Sequence, residues 1–584
     1  MNAASRRELV STRLTGEWRH YPRVELPSPV LALLTWPDSL WAGGFGGVAR
    51  YSDADGWTPC AAGLALRAVT ALTHHNGSLL AGGEGGIARS VRGGQSWRQC
   101  SVPDGVGTVT GLGLSPRFRE DGTGLATTLD SGMLRSTDSG QSWQASSFGL
   151  QSLEVLAVAW GTGETVVAAT STGLVRSPNA GRAWRPLPST AETAFVALAA
   201  IGDGEMLAAP DVGPLLRSSQ NLTTWSPVAA LPLDVRTSAL LSFGAGRLLV
   251  GTADHGILLS TDDGATWSTV SGEIPLSFAC DETRVFAGTA SGVLQSQDRG
   301  ETWSEFPPPP LHDLYRILLV DGLPLISGIN SPPVIYDAAS GWIVLTAVPQ
   351  PLGGLFQSPQ GVLFASTPDG LYQSDDHGGS WQAIVPGSAG CVTQMTFAAE
   401  GRGWAGMNAD GALLRTRNGG RNWERLPAPF GVLPLVALLA LSSSLIAATY
   451  DERQRAVCIW RSEDDGERWV RGADTFTPWP VVATCPSPPV VTVGSVVAVQ
   501  QPDRAWHRTA VGETGIRRLV GNGTVLFALA GDGLWHSEDH GVSWFRDDMD
   551  LPPAQVADIA LDGESLYALL AGGRLWSRQI QGGH

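Results

Sequence analysis

A tryptophan returns every 36 to 46 residues along this 584-residue chain, as Trp18, Trp57, Trp97, Trp143, Trp184, Trp225, Trp267, Trp303, Trp342, Trp381, Trp423, Trp469, Trp506 and Trp544. Fourteen marks at a mean spacing of about 40 residues describe one supersecondary unit repeated along the chain. A unit so short cannot bury its own apolar faces and has to stack on copies of itself. That excludes any fold organised around a single continuous core.

Eight of the marks close one short frame. Ser136 to Trp143, Ser260 to Trp267, Ser296 to Trp303, Ser374 to Trp381, Ser462 to Trp469 and Ser537 to Trp544 read Ser-x-Asp-x-Gly-x-x-Trp, while Ser177 to Trp184 and Thr416 to Trp423 carry Asn in place of Asp. A short Asp or Asn side chain accepts hydrogen bonds from turn N–H groups, Gly supplies a positive φ at low cost, and Trp opens the next strand with a large apolar ring. The frame therefore reads as a hairpin staple. Its polar residues, Asp138, Asn179, Asp262, Asp298, Asp376, Asn418, Asp464 and Asp539, are expected to be structural and not calcium ligands. The frame resembles the Asp-box of the BNR and sortilin-like propeller repeats. Degenerate versions precede Trp57, Trp342 and Trp506, and Arg92 and Gln220 replace the Asp before Trp97 and Trp225, which reads as drift in a redundant scaffold.

Reading back from each box gives three further strands. Val69 to His74, Ser78 to Gly82 and Ile87 to Ser90 precede Trp97, and Leu435 to Leu441, Ser444 to Tyr450 and Ala456 to Arg461 precede Trp469. The most membrane-like stretch, Phe430 to Tyr450, is thus two strands and a turn, interrupted by Pro434 and Ser442 to Ser444. The expected fold is all-β: two tandem seven-bladed β-propellers of four-stranded antiparallel blades with Asp-box hairpins, because one ring takes about four to eight blades.

Pro307 to Pro310 marks the division. Residues 1–24 are expected to form an N-terminal segment whose strand around Trp18 closes the last blade, 25–306 the first propeller, 307–310 a stiff linker and 311–584 the second propeller. The alternative closes each ring by its own three-plus-one exchange and splits the hairpin at 296–303.

Charge narrows the partners. The chain carries −16 net, and all 39 basic residues are arginine, because lysine is absent. That balance argues against a broad phosphate-binding surface, so neither nucleic acid nor membrane insertion is expected. Missing lysine also removes Schiff-base chemistry. Bias toward Gly, Ala, Arg and Pro accounts for it most simply; the alternative is a history beside chemistry that modifies primary amines. The first ten residues hold no apolar core of signal-peptide length. Cys60, Cys100, Cys280, Cys391, Cys458 and Cys485 are too far apart for a metal knuckle or redox pair. The protein is expected to be bacterial and cytoplasmic, with reduced thiols and no cofactor or metal.

Enzymes on the resembled scaffold place their residues opposite the Asp-boxes, in loops joining second and third strands or successive blades. The second-to-third-strand loops here hold Glu84, Asp130, Asp211, Asp254, His255, Asp369, Asp410, Asp451, Glu452 and Asp532. Paired carboxylates serve glycoside hydrolysis, yet Asp before Gly is also what a tight turn selects. The overall plan resembles tandem seven-bladed xyloglucan-hydrolysing glycosidases, in which a Thr-Asp-Val-Gly-Gly-like loop of the first blade carries a catalytic Asp. Here that loop is Gly43-Gly-Phe-Gly-Gly47, and Asp211-Val-Gly213 sits in the fifth blade. The expected function is therefore a non-catalytic scaffold for protein partners, as the resemblance to photosystem-assembly propeller proteins implies. A glycoside hydrolase or carbohydrate-binding protein is the alternative, with Asp211, Asp254 and Asp130 as its candidate catalytic residues. Arg415, Arg417, Arg421, Arg425, Arg453 and Arg455 form a candidate partner patch.

Overall fold

A computed structural model describes residues 18–22, 24–36, 38–75, 77–201, 204–228, 235–244, 246–329, 331–386, 391–407, 411–426, 430–431, 433–441, 443–451, 453–454, 456–476, 484–486, 489–500, 506–512, 515–522, 525–547, 556–563, 565–570 and 573–580. These residues build fourteen four-stranded antiparallel sheets, and in thirteen of them strand order follows the chain. Among the described residues no helix is long and apolar enough to cross a membrane.

The strands differ by what covers them. Second strands such as Val166–Thr170, Leu248–Thr252, Val285–Thr289, Leu363–Thr367 and Leu526–Ala530 are buried along their whole length. A strand covered on both faces needs a continuous apolar run, not an alternating one, and these segments read so. Fourth strands such as Arg98–Gln99, Gln144–Ala145 and Arg185–Pro186 are short and exposed, with polar or proline residues that blunt the free edge. Ten of the first strands carry a bulge near their start, for example between Val69 and Ala71 and between Ile516 and Arg518. Bulges sharpen strand twist.

The chain divides into two compact units, residues 25–312 and residues up to 24 together with those from 313 onward, each with seven sheets. In the unit of 25–312 the first strands neighbour one another in cyclic order, Ala32–Trp36, Ala68–His75, Val109–Leu114, Val155–Trp160, Phe195–Ile201, Thr237–Ser242 and Pro275–Cys280, and the last returns to the first. Hydroxyls latch several of these joints. Thr110 Oγ1 donates to the Val155 carbonyl at 2.6 Å, Ser238 Oγ to Pro275 at 2.6 Å and Thr35 Oγ1 to Cys280 at 2.6 Å.

The unit ends later than the proline run suggests. Leu311 is fully buried in its core with Val30, Phe286 and Trp57, Gly46 N–H bonds the Leu311 carbonyl at 2.6 Å, and Trp57 Nε1 donates to the Pro307 carbonyl at 2.6 Å. The expected linker is thus packed as part of the first unit, and the boundary lies after His312 instead of before Leu311.

In the other unit the cyclic order is Arg316–Val320, Gly354–Gln357, Val392–Phe397, Leu435–Ala440, Thr484–Pro486, Ile516–Gly521 and Val556–Asp562, again closing on itself. Its seventh sheet takes three strands from the chain end and its fourth, Arg19–His20, from near the beginning. Arg19 stands opposite Ser577 and His20 opposite Trp576, with the Trp18 and Trp576 rings 6.2 Å apart. The hairpin before Trp303 stays intact within its own sheet, Pro275–Phe306.

Candidate functional site

The eight Ser/Thr-x-Asp/Asn-x-Gly-x-x-Trp hairpins share one bonding scheme. The first hydroxyl (Ser136, Ser177, Ser260, Ser296, Ser374, Thr416, Ser462, Ser537) donates to the Asp or Asn side chain at 2.7–3.0 Å. The same oxygen accepts the N–H of the frame's Gly at 2.7–3.0 Å. Asp138, Asn179, Asp262, Asp298, Asp376, Asn418, Asp464 and Asp539 each accept the N–H of the residue four places on, at 2.8–3.0 Å.

Where that residue is Ser142, Thr266, Thr302 or Ser380, its hydroxyl also binds the second carboxylate oxygen at 2.5–2.6 Å. The hydroxyls of Thr302 and Ser380 hold Asp298 and Asp376 down to about 2. At Asp138 burial opposes the shift, and the bonds from Ser142 and Ser136 overcome it, again to about 2. These carboxylates are saturated by their own hairpins. Sequence reading missed the hydroxyl just before the Trp, which five of the eight frames carry. It also assigned positive φ to the Gly alone, whereas Ser139, Ala180, Asp263, Arg299, His377, Asp465 and His540 before it all have φ of 55–61°.

At the opposite strand ends, Asp130, Asp211 and Asp254 are exposed and lie in the third, fifth and sixth sheets. Asp130 accepts a bond from its neighbour Ser131 at 2.8 Å. Among the described residues no three His, Cys, Asp or Glu side chains gather as a metal site. What organises these loops is a buried threonine that the sequence reading passed over. Thr252 Oγ1 donates to the Gly256 carbonyl and accepts the His255 N–H, both at 2.9 Å. Thr128, Thr170, Thr289 and Thr367 do the same in their loops. Asp369 belongs to one of these turns, Asp451 instead accepts the Arg453 and Gln454 N–H groups on its own carboxylate, and Asp410 and Glu452 lie outside the described residues.

The arginine patch needs correction at Arg415, which is 4% exposed. It bonds Glu424 through Nε at 2.6 Å, Glu467 through Nη2 at 2.8 Å and the Asp465 carbonyl at 3.2 Å. Burial lowers its pKa, and the two carboxylates reverse that to a net rise. It is a strut between neighbouring sheets and does not face a partner. Arg417, Arg421 and Arg425 remain exposed around the same hairpin. Arg453 is exposed too, but in a loop joining second and third strands, at the other end of the adjacent sheet, so these arginines do not make one surface. Arg455 lies outside the described residues.

A cavity of about 550 Å³ runs among the first strands of the unit from 313 onward, lined by Arg316, Gln394, Thr396, Leu438, Arg518 and Leu561 with their neighbours. Near the start of these strands Asp558, 2% exposed, takes Arg518 Nε on Oδ1 at 3.2 Å and the Ile317 N–H on Oδ2 at 3.1 Å. It thereby joins the sixth, seventh and first sheets of the ring. Arg517 donates to the Val556 carbonyl at 3.2 Å. No local motif announces this cluster. The available signal is a break in the repeat: the place after the bulge is Ala71, Gly111, Ala157, Ala197 and Ala239 elsewhere, and Arg518 and Asp558 here.

No protein-family model matches the sequence, and no curated protein matches it. Solved structures do match. A GH74 xyloglucanase from Xanthomonas campestris superposes with a TM-score of 0.62 at 17% identity, over 96% of this chain and 100% of that chain. A GH74 enzyme of Niastella koreensis gives 0.64 at 13% identity, over 97% and 100%. The chain has a β-propeller fold. PorZ of Porphyromonas gingivalis, described as an essential bacterial surface component of the type-IX secretion system, gives 0.52 at 14% identity, over 97% and 87%. At these identities the likeness speaks for the propeller fold and for no activity. In propeller terms the sheets are blades, and the cavity among first strands is part of an axial channel.

Proposed function

We propose that the chain is a tandem pair of seven-bladed propellers with Asp-box hairpins, of the BNR and sortilin-like kind, and that it serves as a non-catalytic scaffold for protein partners. One observation carries the reading. Among the described residues, the loops that hold catalytic groups in the resembled enzymes offer Glu84, Asp130, Asp211, Asp254 and Asp369 exposed and Asp451 and Asp532 half-buried, each on a separate blade, and the first-blade loop Gly43–Gly47 has no carboxylate. PorZ, described as a component of a secretion system, is an instance of the fold within a larger assembly. The test is purification of tagged full-length protein from its native host, with its size measured by light scattering. A discrete stoichiometric complex is the expected result, and a strict monomer with no retained protein overturns the reading.

The second reading, a glycoside hydrolase, is favoured by Asp211-Val-Gly213. A screen on β-glucans decides it. Hydrolysis abolished by Asp211→Ala or Asp254→Ala would establish it, and no hydrolysis of any glucan would remove it.

A further inference from the structure

Repetition separates what the fold requires from what it does not. Ten first strands carry the bulge, and in 25–312 the residue after it is small in six successive blades, Ala71, Gly111, Ala157, Ala197, Ala239 and Ser277. Small side chains suit a place where neighbouring sheets close on an axis. In the other ring the equivalent places hold Gln394, Ala437, Arg518 and Asp558, and the bulge residue of the sixth blade is Arg517. Arg316 opens the first strand of the blade on the other side of Asp558. The fold is built elsewhere without these charges, so it does not explain them.

The charges do not balance. Asp558 is the acidic group that acts most on Arg316 and Arg517, and both its oxygens are already engaged, by Arg518 and by the Ile317 N–H. Arg517 reaches only a backbone carbonyl, and Arg316 has no hydrogen-bond or ion-pair partner among the described residues. Arg316 is open to water, yet walled by protein closely enough that burial pulls its pKa down, with repulsion from Arg518 adding to it. Guanidinium groups stay charged under such pressure and hold oxyanions through paired, parallel N–H bonds. Arg316, Arg518 and the amide of Gln394 all line the same cavity of about 550 Å³.

We propose that this end of the channel is a binding site for a small multivalent oxyanion, a phosphate or a dicarboxylate. Arg316 and Arg518 line it and supply the positive charge, Arg316 without an ion-pair partner among the described residues, and Gln394 supplies a neutral donor from across the channel. A small ligand fits because the approach is through a channel and not over an open face. The site is independent of any protein partner and of glycan hydrolysis.

The experiment is isothermal titration of the full-length protein with inorganic phosphate and, separately, with succinate, in chloride-matched buffer. The expected result is saturable one-to-one binding of at least one anion, and the arm that binds names the class. Arg316→Gln weakens it about ten-fold or more, the loss expected for one charge-assisted contact. Gln394→Ala weakens it by a smaller factor and serves as the second variant if Arg316→Gln does not fold. Arg284→Gln, in the other unit, leaves it unchanged. Absence of saturable binding for both anions, or wild-type affinity in the Arg316 and Gln394 variants, overturns the proposal.

Discussion

Replacing Asp558 by Ala removes one carboxylate and opens two joints of a ring. The Ile317 N–H, buried and bonded at 3.1 Å, loses its acceptor, and Arg518, bonded at 3.2 Å, loses its counter-ion. Breaking a buried ion pair from one side costs about 3–5 kcal/mol. The Arg518 side chain is 30% exposed, so water recovers part of its solvation and the lower end applies, about 3 kcal/mol. The unit from 313 onward, with the N-terminal segment, has roughly 300 residues, for which the unfolding entropy is about 0.6 kcal/mol/K; the expected fall in its Tm is about 5 °C. Asp558→Asn keeps an oxygen for the Ile317 N–H and is expected to lose about half as much. Differential scanning calorimetry of the three proteins reads both numbers. A transition for Asp558→Ala within about 1 °C of wild type would refute the closing role. An Asn variant as unstable as the Ala variant would refute the role of the backbone acceptor. Asp558→Asn also removes the only carboxylate bonded at the proposed anion site, so it should tighten phosphate or succinate binding while lowering stability.

Ala180 sits at φ 55°, a region costly for any residue with a Cβ, so Ala180→Gly should raise stability by about 1 kcal/mol in urea unfolding. Arg415→Met removes the buried guanidinium between Glu424 and Glu467, which are half-exposed and stay hydrated, and should cost about 1–2 kcal/mol, measured the same way, whereas Arg421→Met should change stability by less than about 0.5 kcal/mol. Thr252→Val leaves the Gly256 carbonyl and His255 N–H without their hydroxyl and should cost about 1–2 kcal/mol. The hairpin carboxylates Asp138, Asp298 and Asp376 have folded-state pKa values below the ordinary 3.8, at about 2. The stability they add is full above the ordinary value and is lost as pH falls from there toward 2. Acid unfolding followed by far-UV circular dichroism should therefore begin below about pH 4 and shift upward when Asp138 is replaced by Ala.

The strand plan was legible because its signals are local and repeated. A Trp every forty residues and a five-residue turn with Asp and Gly are each sufficient to locate a hairpin, and eight copies fix the frame. The fully buried second strands were readable as continuous apolar runs. Arg415 misled because its sequence neighbours are other arginines, while its physical neighbours are Glu424 across a hairpin and Glu467 on the next blade, fifty-two positions away. The channel cluster was invisible for the same reason on a larger scale. Arg316 and Asp558 stand more than two hundred positions apart and meet only where the ring closes. Aligning the repeats on the bulge, and not on the Trp, is the step that would have exposed them. The loop threonines were in plain view, as Thr-x-x-Gly or Thr-x-x-x-Gly, but the eye was drawn to the acids beside them.

The strand Arg19–His20 is made long before its partner Arg574–Gln579 and stays unpaired until that strand has left the ribosome. The unit of 25–312 needs nothing made after residue 312 to complete its sheets, so it can finish folding while synthesis continues. Stalled nascent chains ending beyond residue 400 should accordingly yield a protease-resistant fragment of the first unit and nothing stable from the second. The second ring cannot close before residues 574–579 are made, and until then its seventh blade keeps an open edge and its earliest strand stays unpaired. One polypeptide thus matures in two stages, and the ring that carries the channel charges closes only after residues made about 260 positions beyond the first unit have appeared.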